Sequence, residues 1–153
     1  MTVIHTNVSS VPAVILRPAG LPAKDRGNGA STVPLDGAQL GATTFLNGMT
    51  TFAPGAAIGH HSHNCVESVV VIEGHAIVDI DGGEYPMETY ETTFVPANIV
   101  HRFRNASETE QMRILWTYAS IDATRCMAGE EEHHRIDAEH ASQPSPTTQG
   151  GPL

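Results

Sequence analysis

Four residues of this chain have the types and spacing to hold a transition metal. His61 and His63 are separated by one residue. In a β-strand, positions i and i+2 point to one face about 6–7 Å apart. Two imidazoles at that spacing can converge on one ion through bonds of about 2.1 Å. His60 alternates to the other face. Asn64, Cys65 and Val66 separate His63 from Glu67, and a straight strand would carry Glu67 about 13 Å past His63. A turn is needed, and Asn64 is suited to start one. The fourth residue, His101, follows Phe94-Val95-Pro96-Ala97-Asn98, a strand running into a tight turn, and opens the next strand. Any one histidine is ordinarily a surface or core residue. Four suitable groups at strand ends, each beside a turn, are harder to explain that way. Three neutral imidazoles and one carboxylate leave a +1 site around one divalent ion, a donor set that suits Fe, Mn, Ni, Co, Cu or Zn. No thiolate belongs to the set, which disfavours a structural zinc role. An open coordination position is what Lewis-acid or oxygen chemistry needs.

The elements that must position these groups read as β. Residues 1–42 are rich in Pro, Gly, Ala and Ser, with a short apolar stretch at 11–16. They are expected to form an extended N-terminal arm with one or two short strands. From 43 to 119 the pattern is β throughout, with strands expected at 43–52, 68–72, 75–80, 84–88, 92–95, 101–105 and 111–119. The continuous apolar run at 68–72 predicts a strand buried on both faces. Asp81-Gly82-Gly83 predicts a hairpin turn, because glycine takes positive φ without penalty. Turn signals recur about every 8–12 residues, which predicts an all-β sandwich or barrel. Residues 120–140 read as a C-terminal extension, with a short helix expected over 127–140. Residues 141–153 have the composition of a disordered tail.

The stretch from Gly55 through His61, His63 and Glu67 to Gly74 resembles the first motif of the cupin family, G-x5-H-x-H-x3-E-x6-G, at every fixed position. The second cupin motif, G-x5-P-x-G-x2-H-x3-N, is matched at Pro96, His101 and Asn105. It departs twice. Asn98 stands for one glycine and can supply the same positive φ; Tyr90 stands for the other and implies a different turn before Thr92. The resemblance covers about residues 43–119. It implies an antiparallel jelly-roll barrel with a three-histidine, one-glutamate metal site. It does not imply one reaction, since cupins include dioxygenases, decarboxylases, isomerases, lyases and non-catalytic binders.

Alternation extends the site. From Glu67, Val69 and Val71 face inward; from His101, Phe103 and Asn105 do so, leaving Arg102 and Arg104 outside. Met112, Ile114, Trp116 and Tyr118 share one face of the last strand. Core packing is the ordinary role of such residues, yet an apolar lining with few polar groups is also what a small-ligand pocket looks like. The candidates for substrate contact are Val69, Phe103, Trp116 and Arg26, the last in the KDRGNG segment, where it can fold over a mouth and clamp a carboxylate. Glu73 lies six residues beyond Glu67, about 20 Å down the strand, and with His75 is expected to be structural. Cys65 is expected to be a small apolar filler. The function expected is a metal-dependent enzyme acting on a small enol, diketone, hydroxy-acid or keto-acid, with dioxygenase-type chemistry first. A lyase, decarboxylase or isomerase, or a non-catalytic small-molecule binder, is the alternative.

Composition bounds the rest. The 153 residues carry a formal net charge of −9, which argues against nucleic-acid and anionic-membrane partners, both of which attract clustered Lys and Arg. The two cysteines, Cys65 and Cys126, form no CxxC pair, and no disulfide framework is expected. The first residues show no signal-peptide pattern, and no run approaches the roughly 20 apolar residues of a membrane span. A cytoplasmic location is expected. Of the nine histidines, His133, His134 and His140 lie in polar sequence and are expected at the surface. The apolar 11–16 segment has no place in a minimal barrel and is expected to cover a sheet edge of a second copy. Cupins commonly dimerise this way, so the resemblance implies a homodimer.

Overall fold

A computed structural model of the chain describes residues 11–140. Its strands are β1 (Lys24–Gly27), β2 (Ala30–Pro34), β3 (Leu46–Phe52), β4 (His61–His63), β5 (Glu67–Glu73), β6 (Ala76–Ile80), β7 (Gly83–Met87), β8 (Thr92–Val95), β9 (His101–Arg104), β10 (Met112–Tyr118), β11 (Thr124–Met127) and β12 (His133–Arg135). They form two antiparallel sheets, ordered β1-β2-β3-β10-β5-β8 and β12-β11-β4-β9-β6-β7. This is the all-β jelly-roll arrangement. Among the described residues, no helix is long and apolar enough to cross a membrane.

Alternation in the sequence becomes the inside and outside of the barrel. In β3 and β10 every second residue is buried, so Leu46, Phe52, Met112, Ile114, Trp116 and Tyr118 enter the core beside Val78 and Phe103 of the other sheet. Each large apolar side chain buried this way contributes about 1.5–3 kcal/mol. On the outer face of the second sheet, Arg102 and Arg104 close on Asp79, with Nε to Oδ2 distances of 2.7 and 3.3 Å. Asp81 and Gly82 both have positive φ, 48° and 84°, and close the β6–β7 hairpin as the Asp-Gly sequence requires.

Three expectations are corrected. The run at 68–72 is buried on one face only: Val69 and Val71 are buried, Ser68 is exposed, and Val70 and Ile72 are half-buried. The sheet is antiparallel, so its outer face meets solvent. Tyr90 makes no different turn. It takes the left-handed conformation itself, φ 74°, and its N–H donates to the Val71 carbonyl at 2.6 Å. The helix expected over 127–140 shrinks to Asp137–His140, because β11 pairs with β4 and β12 with β11. Tertiary pairing overrides the helical propensity of the Glu-rich segment, and Ile136, fully buried, pins it. The segment 11–16 lies outside the strands, with Val11 and Ile15 exposed. At the other end of the arm, β2 pairs with β3, so the first sheet extends outside 43–119. The tail expected at 141–153 lies outside the described residues, as do residues 1–10.

Candidate metal centre

Three strand starts and one turn bring the four candidate ligands together. His61 and His63 occupy the first and last positions of β4, both facing inward. His101 opens β9 and is the cross-strand partner of His61. Glu67 opens β5, in the opposite sheet. The turn between His63 and Glu67 is fixed by Asn64, whose Oδ1 accepts from the Thr124 N–H at 2.8 Å and whose Nδ2 donates to the Asp122 carbonyl at 3.1 Å. Asn98, φ 66°, donates its N–H to the His63 carbonyl at 2.7 Å. All four side chains are buried, and their candidate ligand atoms lie within 4.8 Å of one another.

The hydrogen bonds set the tautomer of each ring. Nδ1 of His61 meets the Gly59 carbonyl at 2.7 Å, that of His63 the Thr124 carbonyl at 3.0 Å, and that of His101 the Ile99 carbonyl at 2.8 Å. A carbonyl only accepts, so each Nδ1 carries the proton and donates. In the neutral ring, Nε2 then presents a lone pair to the centre. Nε2 of His63 and of His101 each stand 2.8 Å from Glu67 Oε2. Two lone pairs at that distance need a proton or a cation between them, and the buried His63 Nε2 has no hydrogen-bond partner. The residues therefore fit a metal ion.

The charges point the same way. Burial, with His63 and His101 nearby, pushes His61 down to about 3, so its ring is neutral near neutral pH. Burial alone would raise Glu67, but the His101 and His63 rings held against it outweigh that and keep the carboxyl well below its ordinary range. Burial also opposes charge on His101, but the Glu67 carboxylate wins and raises it. Without a cation, the centre keeps a charged Glu67 by holding a proton on His101.

Beside the centre lies a cavity of ≈ 120 Å³, with His61 and Glu67 in its wall. An apolar cavity of about 150 Å³ takes benzene, so this smaller one suits a short oxygenated fragment. Tyr118 stacks near His63, ring centroids 4.4 Å apart, and near Trp116 at 5.0 Å. Trp116 Nε1 donates to Thr50 Oγ1 at 2.9 Å. Of the residues named from sequence for substrate contact, Phe103, Trp116 and Arg26 line the cavity. Val69 is fully buried in the core, beside its cross-strand partner Trp116, and does not line the cavity. Asn105 does not face the cavity: its Nδ2 donates to the carbonyls of Phe52, Ala53 and Glu110, clipping loops together. His60 is exposed on the outer face, and Glu73 and His75 pair at the surface with Arg113 and Glu110. Burial raises the Cys65 thiol, in keeping with a filler. Sequence reasoning missed Arg125 and Met127, which line the cavity from β11.

Comparison with known proteins fits this geometry. The sequence model of the family described as "Cupin domain" matches residues 48–118. Residues 48–118 form a cupin domain. This cupin is 34% identical over 90 residues to the polyketide synthase CurC of Streptomyces cyaneus, covering 58% of each chain. It is 31% identical over 91 residues to the protein SchB of Streptomyces halstedii, covering 59% of this chain and 66% of the other. It is 32% identical over 77 residues to the auxin-binding protein T85 of Nicotiana tabacum, covering 44% and 41%. The chain thus spans under two thirds of each relative's length. Among solved structures, a sugar phosphate isomerase of the cupin superfamily from Silicibacter pomeroyi aligns with TM-score 0.64 and 22% identity over 80% of this chain and 93% of the other. An oxalate oxidase in complex with the substrate analogue glycolate aligns with TM-score 0.60 and 22% identity, covering 67% and 56%. At that identity the likeness speaks for the fold.

Proposed function

We propose that this cupin is a metal-dependent enzyme for a small oxygenated substrate, an enol, a diketone or a hydroxy- or keto-acid, with dioxygenase-type chemistry. The observation that carries this is the convergence of three oriented imidazole nitrogens and one carboxylate beside a small cavity whose wall includes His61 and Glu67. A divalent ion of Fe, Mn, Ni, Co, Cu or Zn held by His61, His63, Glu67 and His101 supplies Lewis acidity to a chelating oxygen pair and, where redox-active, access to dioxygen. The chain's own groups do the rest. Phe103, Ile114 and Trp116 exclude water and strengthen every charge interaction inside. Arg26 holds a polar end of the substrate. Apart from the proposed ligands, the ionisable groups among the lining residues are Arg26, Arg125 and Tyr118, which offers no paired acid and base for an isomerase. The CurC relative supports the substrate class, because it is named a polyketide synthase and polyketide chains carry runs of enolisable diketones.

The test reconstitutes the full chain with each of the six metals and offers acetylacetone, acetoacetate and related enols with and without oxygen. Oxygen consumed in step with substrate by a redox-active form supports the proposal. Equal turnover without oxygen replaces it with a lyase, decarboxylase or isomerase. Binding without turnover in every form favours a small-molecule binder, the reading that the auxin-binding relative supports. We place the protein in the cytoplasm, where its two free thiols, Cys65 and Cys126, are stable. We also propose a homodimer in which the exposed Val11 and Ile15 cover a partner's sheet edge; a monomer mass by sedimentation at high concentration would remove that part.

A further inference from the structure

A chain of hydrogen bonds in the cavity wall ends on a proton that has no acceptor. Trp116 Nε1–H donates to Thr50 Oγ1 at 2.9 Å, and Thr50 Oγ1 lies 3.0 Å from Thr32 Oγ1. An indole N–H only donates, and each hydroxyl has one proton to give. Whichever threonine donates to the other, one hydroxyl proton spans the pair. The second meets no acceptor among the described residues. Both threonines are buried, 4% and 5% exposed, and both line the cavity. The indole needs one acceptor, and Thr50 supplies it, so holding Trp116 in place does not call for Thr32. A buried donor left unmet is unfavourable, and an acceptor oxygen brought against it removes that penalty.

The strand register sets this pair apart from the metal candidates. Glu67 pairs with Tyr118, whereas Thr50 pairs with Ile114, four residues away along β10. Thr32 pairs with Thr50. Trp116 lies between those two levels on β10 and lines the wall that joins them. One cavity thus reaches both His61 and Glu67 and the hydroxyl pair.

We infer that Thr32 and Thr50 form a second specificity contact of this site, donating the unspent proton to a carbonyl, hydroxyl or ether oxygen of the substrate beyond the oxygens that face the metal. This rests on the proposed metal-enzyme reading for the metal-facing end alone. It narrows the substrate class to molecules with a further oxygen outside the chelating pair.

Two probes of one shape make the test, heptane-2,4-dione and 1-methoxypentane-2,4-dione, in which an ether oxygen replaces one methylene. Each is titrated into the full chain loaded with zinc, which is not redox-active, and its affinity is divided by its affinity for zinc in free solution. Trp116 is the sole tryptophan and belongs to the hydrogen-bonded chain, so its emission reports occupancy. The methoxy probe should bind about fivefold more tightly, the effect of one neutral hydrogen bond. Apolar walls alone would favour the all-carbon probe. The double variant Thr32→Val/Thr50→Val keeps the side-chain shapes and removes both hydroxyls, so the preference should reverse. The double variant Thr32→Ser/Thr50→Ser keeps both hydroxyls and should keep the preference. Thermal melting checks folding. If the valine variant does not fold, the sign of the preference in the unaltered chain and in the serine variant decides. The inference is overturned if the unaltered chain favours the all-carbon probe or neither probe, if neither binds at millimolar concentration, or if the valine variant still prefers the methoxy probe. If zinc is not retained, or adds nothing to the affinity for either probe, the metal reading fails instead, and the ratio measured without zinc still decides this one.

Discussion

At the scale of single residues, the centre works by committing one nitrogen of each histidine. Three Nδ1–H donors are spent on carbonyls, so three Nε2 atoms face Glu67. His101 is the ring whose protonation is favoured, because Glu67 raises it above its ordinary 6.5. In metal-free protein this protonated pair therefore stabilises the fold fully below pH 6.5, and the contribution is lost as pH rises through the raised value. A metal needs the unprotonated ring, so metal affinity should rise with pH across that same window, with one proton released per ion bound. Calorimetry of metal uptake in buffers of different ionisation enthalpy measures that proton; none released would contradict the assignment. Tyr90 gives a second prediction. It is 80% exposed and holds φ 74°, a conformation that costs an L-residue about 1–2 kcal/mol. Tyr90→Gly should raise stability by about 1 kcal/mol, read from the denaturation midpoint. Residue types legible in the sequence were those that spacing and turn chemistry fix: His61, His63, Glu67, His101, and the positive φ of Asn98. The conformation of Tyr90 was not, since nothing in a tyrosine advertises it.

At the scale of elements, β10 builds the floor of the cavity and β3 supports it. The added methyl of Gly48→Ala would overlap the ring of Trp116. That substitution should destabilise the protein by about 1–3 kcal/mol through overpacking and shift tryptophan emission; an unchanged spectrum would show that Trp116 does not lie over β3. The alternation that made β3 and β10 readable is strict, because one face is buried and the other wet. β11 was not readable. Its four residues are all half-buried, so no in-and-out pattern marks them, and the Glu-rich sequence after it favours helix. Its strand character comes from the open edge of β4, a long-range fact that no local window contains. Arg125 and Met127 went unseen for that reason, whereas Arg26, in a glycine-flanked segment, stood out.

At the scale of the molecule, the barrel is closed by the C-terminal extension. Residues beyond 119 supply the Thr124 carbonyl that orients His63, the Thr124 N–H that fixes Asn64, and the buried Ile136. A chain ending at residue 119 should therefore lose both stability and metal retention, as read by thermal melting and metal analysis; a truncated protein as stable as the full chain would contradict this. The centre itself joins the two sheets, with Glu67 on one and the histidines on the other, so an ion there ties the sheets together. The claim on which all else depends is that His61, His63, Glu67 and His101 hold one divalent transition metal. An anomalous-difference map collected at the metal's absorption edge tests it directly. One peak within bonding distance of all four residues, at about 2.0–2.3 Å, is the result predicted; a tightly bound metal elsewhere in the chain, with these four residues bare, would contradict it.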